Sequence, residues 1–597
     1  MLNAGKGGLF FLVAAAASCF GRAYCGTELE QIVVTKSRYH LLRPFSLSAE
    51  DSKGLPFGSP VESLNLLPLD LASRSPKGGI QSDFSLRGST FQGVLMLLNG
   101  ERINDPQTAH YNCDIPLTSE DIERIEVLPG AGSSLFGPDV MGGAVNIILK
   151  KPEDKGAVLE LKGGEHRTFS GLFSISEKTD RLGVRLSLEN QESDGFSYDT
   201  DFKKFTTTLN SSFDIPDGGI DLNFGYQEKE YGAYDFYTPG LDYPSKEWIK
   251  TYLLNTGMNL DKDGLIIRPS FLWRRHYDKF ALDKTQGKSS YLNHHRTDIY
   301  TPKIYLQKEL GILGRAGSGV EYGEERINST NLGRHMRRHE SIFFDDSKEL
   351  DESLSLGLSL RMDNFEGFNE IYSGSLNSRY KLSNRSFVHA GVSRSARVPS
   401  FTELYYNDPV TLGNASLSAE KSLNYQAGYD YKEGGLSFGF TLFYRREEDL
   451  IDWVKRSSYQ AKWQVENIGE AGVFGMENYL RFRINPVISV DSNYSFINKR
   501  VDDQGYLYKY GPNYIKHLVN NAVIFKFPFG VQSIGVTYKK RPSRRGWLLL
   551  SSRLSYGFLK NSQIFLEATN ILNVEYQEIE GIPQPGRWIE AGVRLEW

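Results

Sequence analysis

Several groups of residues carry side chains whose types and spacing could do chemistry. In NDPQTAHY, Asn104, Asp105, Gln107, Thr108, His110 and Tyr111 set mixed hydrogen-bond donors and acceptors close together. In YDFY, Tyr234, Phe236 and Tyr237 offer aromatic faces that pack on large planar surfaces. Asp194, Asp199 and Asp201 are spaced carboxylates, an oxygen set that suits Ca²⁺, although no EF-hand spacing is present. His335 and His339 stand at i, i+4 in HMRRH, which on a helix would chelate zinc. The glutamate of HExxH is missing, and Arg334, Arg337 and Arg338 make a basic outer loop the simpler reading. GAGSSL, Gly130 to Leu135, begins like a dinucleotide-binding loop but has Leu135 where the last glycine belongs. With no P-loop, GxSxG or CxxC in the chain, the reading is that it is not an enzyme.

The elements that must position these residues fall into regions of different pattern. Residues 1–25 read as a signal peptide: Lys6 supplies the charge, Leu9 to Ala17 the apolar run, and Gly21 and Ala23 the small residues near a cleavage point. Residues 26–44 read as a linker. It carries Glu30, Gln31, Ile32, Val33, Val34, Thr35 and Lys36, a β-favouring run with no sequence neighbour to pair with. Residues 45–155 read as a compact α/β unit. In it GVLMLLNG and AVNIILKK look like strands buried on both faces. TSEDIERIEVLPG begins with Thr118 or Ser119 as an N-cap and ends at Pro129-Gly130. Cys113 is expected to be a small buried residue rather than a reactive thiol.

From residue 156 to Trp597 the pattern alternates with period two. Leu354, Leu356, Leu358, Leu360 and Met362 lie on one face, and Ser355, Ser359 and Arg361 on the other. Ten short turns, from EKTDR to LKNS, separate longer polar and aromatic connections, which gives 22 strands. No internal run of 18 apolar residues is present, so a closed barrel is the available way to span a membrane. Twenty-two strands enclose a lumen wide enough to need a plug, and the α/β unit is the natural one. The fold class is therefore an all-β membrane barrel of about 22 antiparallel strands with an N-terminal α/β plug in its lumen. The net charge of −4 gives no signature for nucleic acid. A passive porin or adhesin barrel is the alternative from a different class, and it explains neither the plug nor the N-terminal run.

These motifs resemble the TonB-dependent outer-membrane receptors over nearly the whole mature chain. EQIVVTKSR is similar to the TonB box, Ser82 to Thr108 with its Leu86-Arg87-Gly88 signature to the plug, and the segments 122–152, 393–406 with 412–431, and 570–597 to family segments in the same order. The resemblance implies active transport across the outer membrane of a Gram-negative-type bacterium, driven through the TonB-ExbB-ExbD complex, which would engage Glu30 to Lys36. It implies barrel assembly through the C-terminal aromatic, here Trp597 where the family usually has Phe. It also implies a monomer in contact with outer-membrane lipid and lipopolysaccharide. The loops around Asn104 and Tyr234 look like the cobalamin-receptor-like branch, so a cobalamin or related corrinoid is favoured, with a ferric siderophore as the alternative. Haem ranks lower: the family's haem boxes are altered at Ala396-Arg397-Val398-Pro399 and Gly413 to Leu417, and no His lies between residues 400 and 412.

On this reading Asn104, Asp105, Gln107, Thr108, His110 and Tyr111 would form a ligand-facing plug apex, or else a structural loop held by its own hydrogen bonds. Tyr234, Phe236 and Tyr237 would meet the ligand from an outer loop, or belong to an aromatic girdle. Asp194, Asp199 and Asp201 would hold calcium, as cobalamin receptors do at such loops, or form a solvated loop; no other cofactor is expected. Arg87 and Gly88 belong to the plug signature. Arg87 is expected to pair with the barrel wall, where Arg361, Arg445, Glu590 and Arg594 face the lumen.

Overall fold

In the computed structural model of the chain, the described residues are 45–597 apart from 49–53, 57, 131, 153, 154, 290, 312, 313, 503, 504 and 512. The segment 1–25 expected to be a signal peptide and the run Glu30 to Lys36 lie outside them. Twenty-two antiparallel strands form a closed barrel, sealed where the last strand, Trp588–Glu596, pairs with the first, Gly156–Gly164. Closure leaves no strand edge without a partner, which the hydrocarbon interior requires. Ten short turns lie at one end and eleven connections at the other, as the sequence pattern predicts. In the strand Leu354–Phe365, Leu358, Leu360 and Met362 are exposed on the outside while Ser359, Arg361 and Asp363 are buried in the lumen.

The plug fills that lumen. Its five-stranded sheet runs in the order Phe45–Ser48, Ile122–Pro129, Gly143–Leu149, Val94–Leu98, Glu101–Arg102. The central pair, Val94–Leu98 with Gly143–Leu149, is parallel and buried on both faces, and this is why both read as near-continuous apolar runs, the second interrupted by Asn146. A two-stranded sheet, Asp70–Ser75 with Gln81–Ser85, stands beside it.

Two local expectations change. Thr118 does cap a helix, but only the single turn Ser119–Asp121. The chain then extends as the strand Ile122–Pro129, because pairing with Gly143–Leu149 on one side and Phe45–Ser48 on the other satisfies its backbone. HMRRH is not a loop. It lies in the strand Gly333–Glu349, whose alternation turns His335, Arg337 and His339 inward and Arg334, Met336 and Arg338 outward. An i, i+4 pair on a strand is about 13 Å apart along the chain, too far for two ligands of one zinc ion.

The longer connections carry their own structure. Thr411–Leu412, Trp463–Asn467, Ile451–Lys455 and Leu507–Tyr508 form a small sheet that ties three outer loops together. A five-residue helix, Phe401–Tyr405, lies over the plug. Its cap is reciprocal: Ser400 Oγ accepts from the Glu403 amide, and Glu403 accepts from the Ser400 amide. The backbone amides of Phe401 and Thr402 donate to the carbonyls of Pro106 and Gln107 at 2.9 and 3.0 Å.

Candidate functional site: the plug apex and the seam to the barrel wall

The apex is built where two plug connections meet two outer loops. Thr90–Gly93 brings up Phe91, and the helical turn Ala109–Cys113, capped by Thr108, brings up His110. The two rings stack, with centroids 4.3 Å apart. Tyr510 meets Phe91 edge-on at 5.2 Å, and Tyr237 lies 6.1 Å from His110. All four are half-buried, so they present ring surface to the mouth of the barrel while resting on the plug. Beneath them Asp83 accepts from Arg74 at 2.9 Å and lies 2.7 Å from His110 Nδ1. His110 and Arg74 together hold the Asp83 carboxyl below the usual carboxylate range, against the effect of burial. His110 is thereby oriented by a buried, doubly partnered acid.

The other residues expected at the apex do not face the mouth. Asn104, Asp105, Gln107, Thr108 and Tyr111 are buried. Asn104 bridges the backbone of Met96 and Val94 at 2.7 and 3.0 Å. Asp105 takes Arg274 and Thr297 from the wall. Gln107 packs under Phe401–Tyr405, with its carbonyl bonded to Thr402. Thr108 is a cap, and the Tyr111 hydroxyl donates to Asp278 at 2.7 Å. These donors and acceptors stitch plug to barrel, and of the six only His110 stands at the opening. The outer-loop group divides in the same way. Phe236 is buried among Ile80, Tyr111 and Phe202, while Tyr234 bonds Asp242 at 2.5 Å on the loop surface. Tyr237 is the one that reaches the apex.

The three aspartates do not converge. Asp194 faces Arg167 at 3.2 Å, Asp199 is taken by Lys284, and Asp201 binds the Gly232 amide through its carbonyl. Among the described residues no cluster of three or more His, Cys, Asp or Glu side chains is placed to hold a metal ion. Cys113 is buried, and burial pushes its thiol up to about 12, so it is not a thiolate nucleophile at neutral pH.

The seam between plug and wall is charged. Arg87 donates to Glu477 through Nε at 3.0 Å and Nη2 at 2.6 Å, and to Gln426 at 3.0 Å, while Arg445 donates to the Arg87 carbonyl at 3.0 Å. Of the wall residues expected as partners of Arg87, Arg445 alone meets it, at its carbonyl, and the other three meet the plug elsewhere: Glu590 takes Lys77, Arg594 takes Glu120 at 2.9 Å, and Arg361 lies against Gly137. The acidic partner of Arg87 itself, Glu477, was not legible; it sits 390 positions away with no local signal. Arg87 and Gly88 both have positive φ, 48° and 70°, and a Cβ on Gly88 would meet Ile497 Cγ2 at 3.0 Å. The signature is thus a left-handed turn that aims Arg87 at the wall and needs a glycine next to it. Asp114 is held by Lys229 and lies 2.7 Å from His276, both on the wall. Beside Arg87, a cavity of about 140 Å³ opens between plug and wall, lined in part by Phe45, Ser46, Leu47, Tyr479 and Asn493. The strand Phe45–Ser48, first of the plug, is therefore also a wall of this cavity.

A closed barrel with a folded plug inside it, opening outward through long loops, defines a gated outer-membrane receptor and not an open pore. Family comparison agrees. Residues 167–571 match the model "TonB dependent receptor-like, beta-barrel", and residues 45–144 match "TonB-dependent Receptor Plug Domain". The chain is similar to a vitamin B12 transporter BtuB of Photobacterium profundum, 23% identical over 467 residues that cover 75% of each chain. It is also similar to an iron-regulated outer membrane virulence protein of Vibrio cholerae, 23% identical with 81% and 79% covered. Among solved structures, the siderophore receptor PirA of Pseudomonas aeruginosa superposes with a TM-score of 0.74 at 18% identity, covering 93% and 99%. The chain belongs to the TonB-dependent receptor family. It is an outer-membrane barrel of a Gram-negative bacterium and a transporter that works with TonB.

Proposed function

We propose that the receptor takes up a corrinoid, cobalamin or a close relative, through the half-buried aromatic apex of Phe91, His110, Tyr237 and Tyr510. The observation that carries this reading is the pairing of the cations around that apex. Arg74 is matched by Asp83, Arg337 by Glu325, and Arg397 by Glu403 and Glu420. A ferric tris-catecholate carries several negative charges and calls for cations not already spent on protein carboxylates. A corrinoid, rimmed with amides and largely apolar in face, suits ring surface with a few fixed polar groups. The relatives named as vitamin B12 transporters support the same reading. A ferric siderophore remains the second reading because Lys509, above the rings of Trp453 and Tyr510, adds a cation at the mouth. The iron-regulated relative also points that way.

Calorimetry of the purified receptor decides between the two. Binding of cyanocobalamin that weakens at least tenfold in Tyr237→Ala supports the corrinoid reading. Binding of a ferric catecholate alone overturns it. For the energy coupling, Val33→Pro removes a ladder donor from the N-terminal run. Uptake should be lost while binding is retained; retained uptake would mean that TonB does not add to this run. A pull on the chain ahead of Phe45 acts first on Phe45–Ser48, a four-residue edge strand paired with Ile122–Pro129, and its release would open the cavity beside Arg87.

A further inference from the structure

Asp452 is buried in the small outer sheet, and what it holds there is backbone. It lies in Ile451–Lys455, between Trp463–Asn467 and the two-residue strand Leu507–Tyr508. That last pairing is short: Tyr508 meets Val454 and Leu507 meets Lys455. Past it the Lys509 amide donates to the Trp453 carbonyl at 3.0 Å, and the next two amides go to a side chain. The Tyr510 amide donates to Asp452 Oδ1 at 3.2 Å and Oδ2 at 3.3 Å, and the Gly511 amide donates to Oδ2 at 2.6 Å. Oδ1 also takes the Trp453 amide at 2.7 Å. A buried backbone N–H needs an acceptor, and here one carboxyl supplies it for three.

Tyr510 is the ring that meets Phe91 edge-on at the apex. It rests on the cluster of Leu404, Ile451, Trp453 and Val465. Lys509, the cation at the mouth, rides on the same connection, over the rings of Trp453 and Tyr510. A Cβ on Gly511 would stand 3.0 Å from Asp452 Oδ2, so the glycine lets the backbone come this close to the carboxyl. The charged groups packed around Asp452 are engaged elsewhere. Glu466, directly opposite in the sheet, is taken by Arg456 at 3.1 Å. Lys499, on the barrel strand Ile488–Val501, is held by Glu447 at 3.0 Å and the Gly88 carbonyl at 3.2 Å. Glu420, which accepts the Ile451 amide, is held by Arg397, and Lys455 lies over Trp463.

We infer that Asp452 is a positioning residue for the apex: its carboxyl holds Tyr510 against Phe91, and the gain or loss of its proton closes or releases the connection that bears Tyr510 and Lys509. The inference rests on the reading of the apex as the ligand site. Burial pushes the Asp452 carboxyl up to about 7, against the three amides and the charge of Lys499, which pull it down. Released into water, the same carboxyl titrates near the ordinary value of about 4. The closed connection therefore keeps a proton that the open one gives up. Closure is favoured most below about pH 4, and that preference is lost as pH rises through about 7.

The test is amide hydrogen exchange of the full receptor in detergent, with protection corrected for the intrinsic pH dependence of exchange. Protection of the Tyr510 and Gly511 amides should fall about thirtyfold between about pH 5.5 and about pH 8 in the wild type. Asp452→Asn keeps the shape and one acceptor oxygen but does not titrate, so its protection should be flat over the same range. Amides of the plug strand Val94–Leu98 should not change in either protein. Constant protection in the wild type, the same fall in Asp452→Asn, or an equal fall in the plug strand would each overturn the inference. Calorimetry with cyanocobalamin at the same two pH values supplies the second reading. Affinity should weaken with rising pH in the wild type and not in Asp452→Asn, and binding that ignores pH in both would overturn the positioning role. If the amides behave as expected and cyanocobalamin does not bind at all, the hold of Asp452 on Tyr510 stands and the corrinoid reading falls. Folding is checked by heat-modifiable migration. If Asp452→Asn does not fold, Gly511→Ala crowds the same carboxyl and should lower Tyr510 protection severalfold at the lower pH; unchanged protection would overturn the inference.

Discussion

The plug is held together in one way and held in place in another. Its core is packed mainly with apolar side chains, Leu95, Leu97, Val127, Ala144 and Val145 among them, all fully or almost fully buried, with Glu126 and Asn146 bonded to each other in the same sheet. Its seam to the wall is ionic and hydrogen-bonded, through Arg87–Glu477, Asp105–Arg274, Asp114–Lys229 and Arg594–Glu120. The difference matters for a plug that must stay folded at rest and yet yield to a pull. Apolar burial resists any exposure to water in proportion to area. A polar seam, though buried at rest, can trade its partners for water once the plug shifts, so it is the surface along which the plug can part from the wall.

Breaking one member of the seam should have the largest effect. Arg87→Ala leaves Glu477 buried without its partner, a change of about 3–5 kcal/mol against the closed plug. Planar-bilayer conductance should rise, and unchanged conductance would remove Arg87 as a latch. Arg87→Met combined with Glu477→Met should bring conductance most of the way back, because matched apolar groups leave no orphan charge.

In the core, Leu97→Ala should cost about 2–5 kcal/mol through the cavity left behind. The expected sign is faster amide exchange across Val94–Leu98 without a rise in conductance. If conductance rises as much as in Arg87→Ala, core and seam are not separate in the way the side chains suggest.

The seam should also be sensitive to acid. Lys229 and His276 hold Asp114 down to about 2, against the upward push of burial, so its folded value lies below the ordinary value near 4. A depressed acid contributes stability above its unfolded value, and that contribution is lost as pH falls from about 4 through 2. Conductance measured over this window should rise in the wild type, and the rise should be smaller in Asp114→Asn.

The smallest effect is expected where an ion pair has no burial to sharpen it. Lys155 and Glu177 pair at 3.1 Å at the start of the barrel but stay largely in water. Lys155→Ala should change stability by less than about 1 kcal/mol in thermal unfolding. A loss as large as that of Arg87→Ala would mean that burial is not what separates the two classes of pair.

Much of this architecture was legible in the chain because it is written with short periods. Alternation at period two marks which strand face meets lipid, as in Leu358 to Asp363, and turn residues mark every short connection, so strand number and barrel class follow from neighbours in sequence. The Leu86-Arg87-Gly88 signature was legible only through the family resemblance, and the left-handed turn that needs a glycine at Gly88 is what the structure adds. What each lumen residue touches was not. Asn104, Asp105 and Tyr111 carry the donors and acceptors that a ligand site would need, yet closure of the barrel brings Arg274, Thr297 and Asp278 to the last two, and Asn104 is spent on the plug's own backbone. Phe91 and Tyr510, 419 positions apart in the numbering, meet over His110 only because a plug connection and an outer loop converge on one mouth. Period and turn chemistry act between near neighbours, so the sequence by itself determines the barrel, its plug and the facing of each strand. Partnership across the lumen depends on register summed around twenty-two strands, and only the tertiary structure decided which polar residues hold the plug and which stand at the mouth of the barrel.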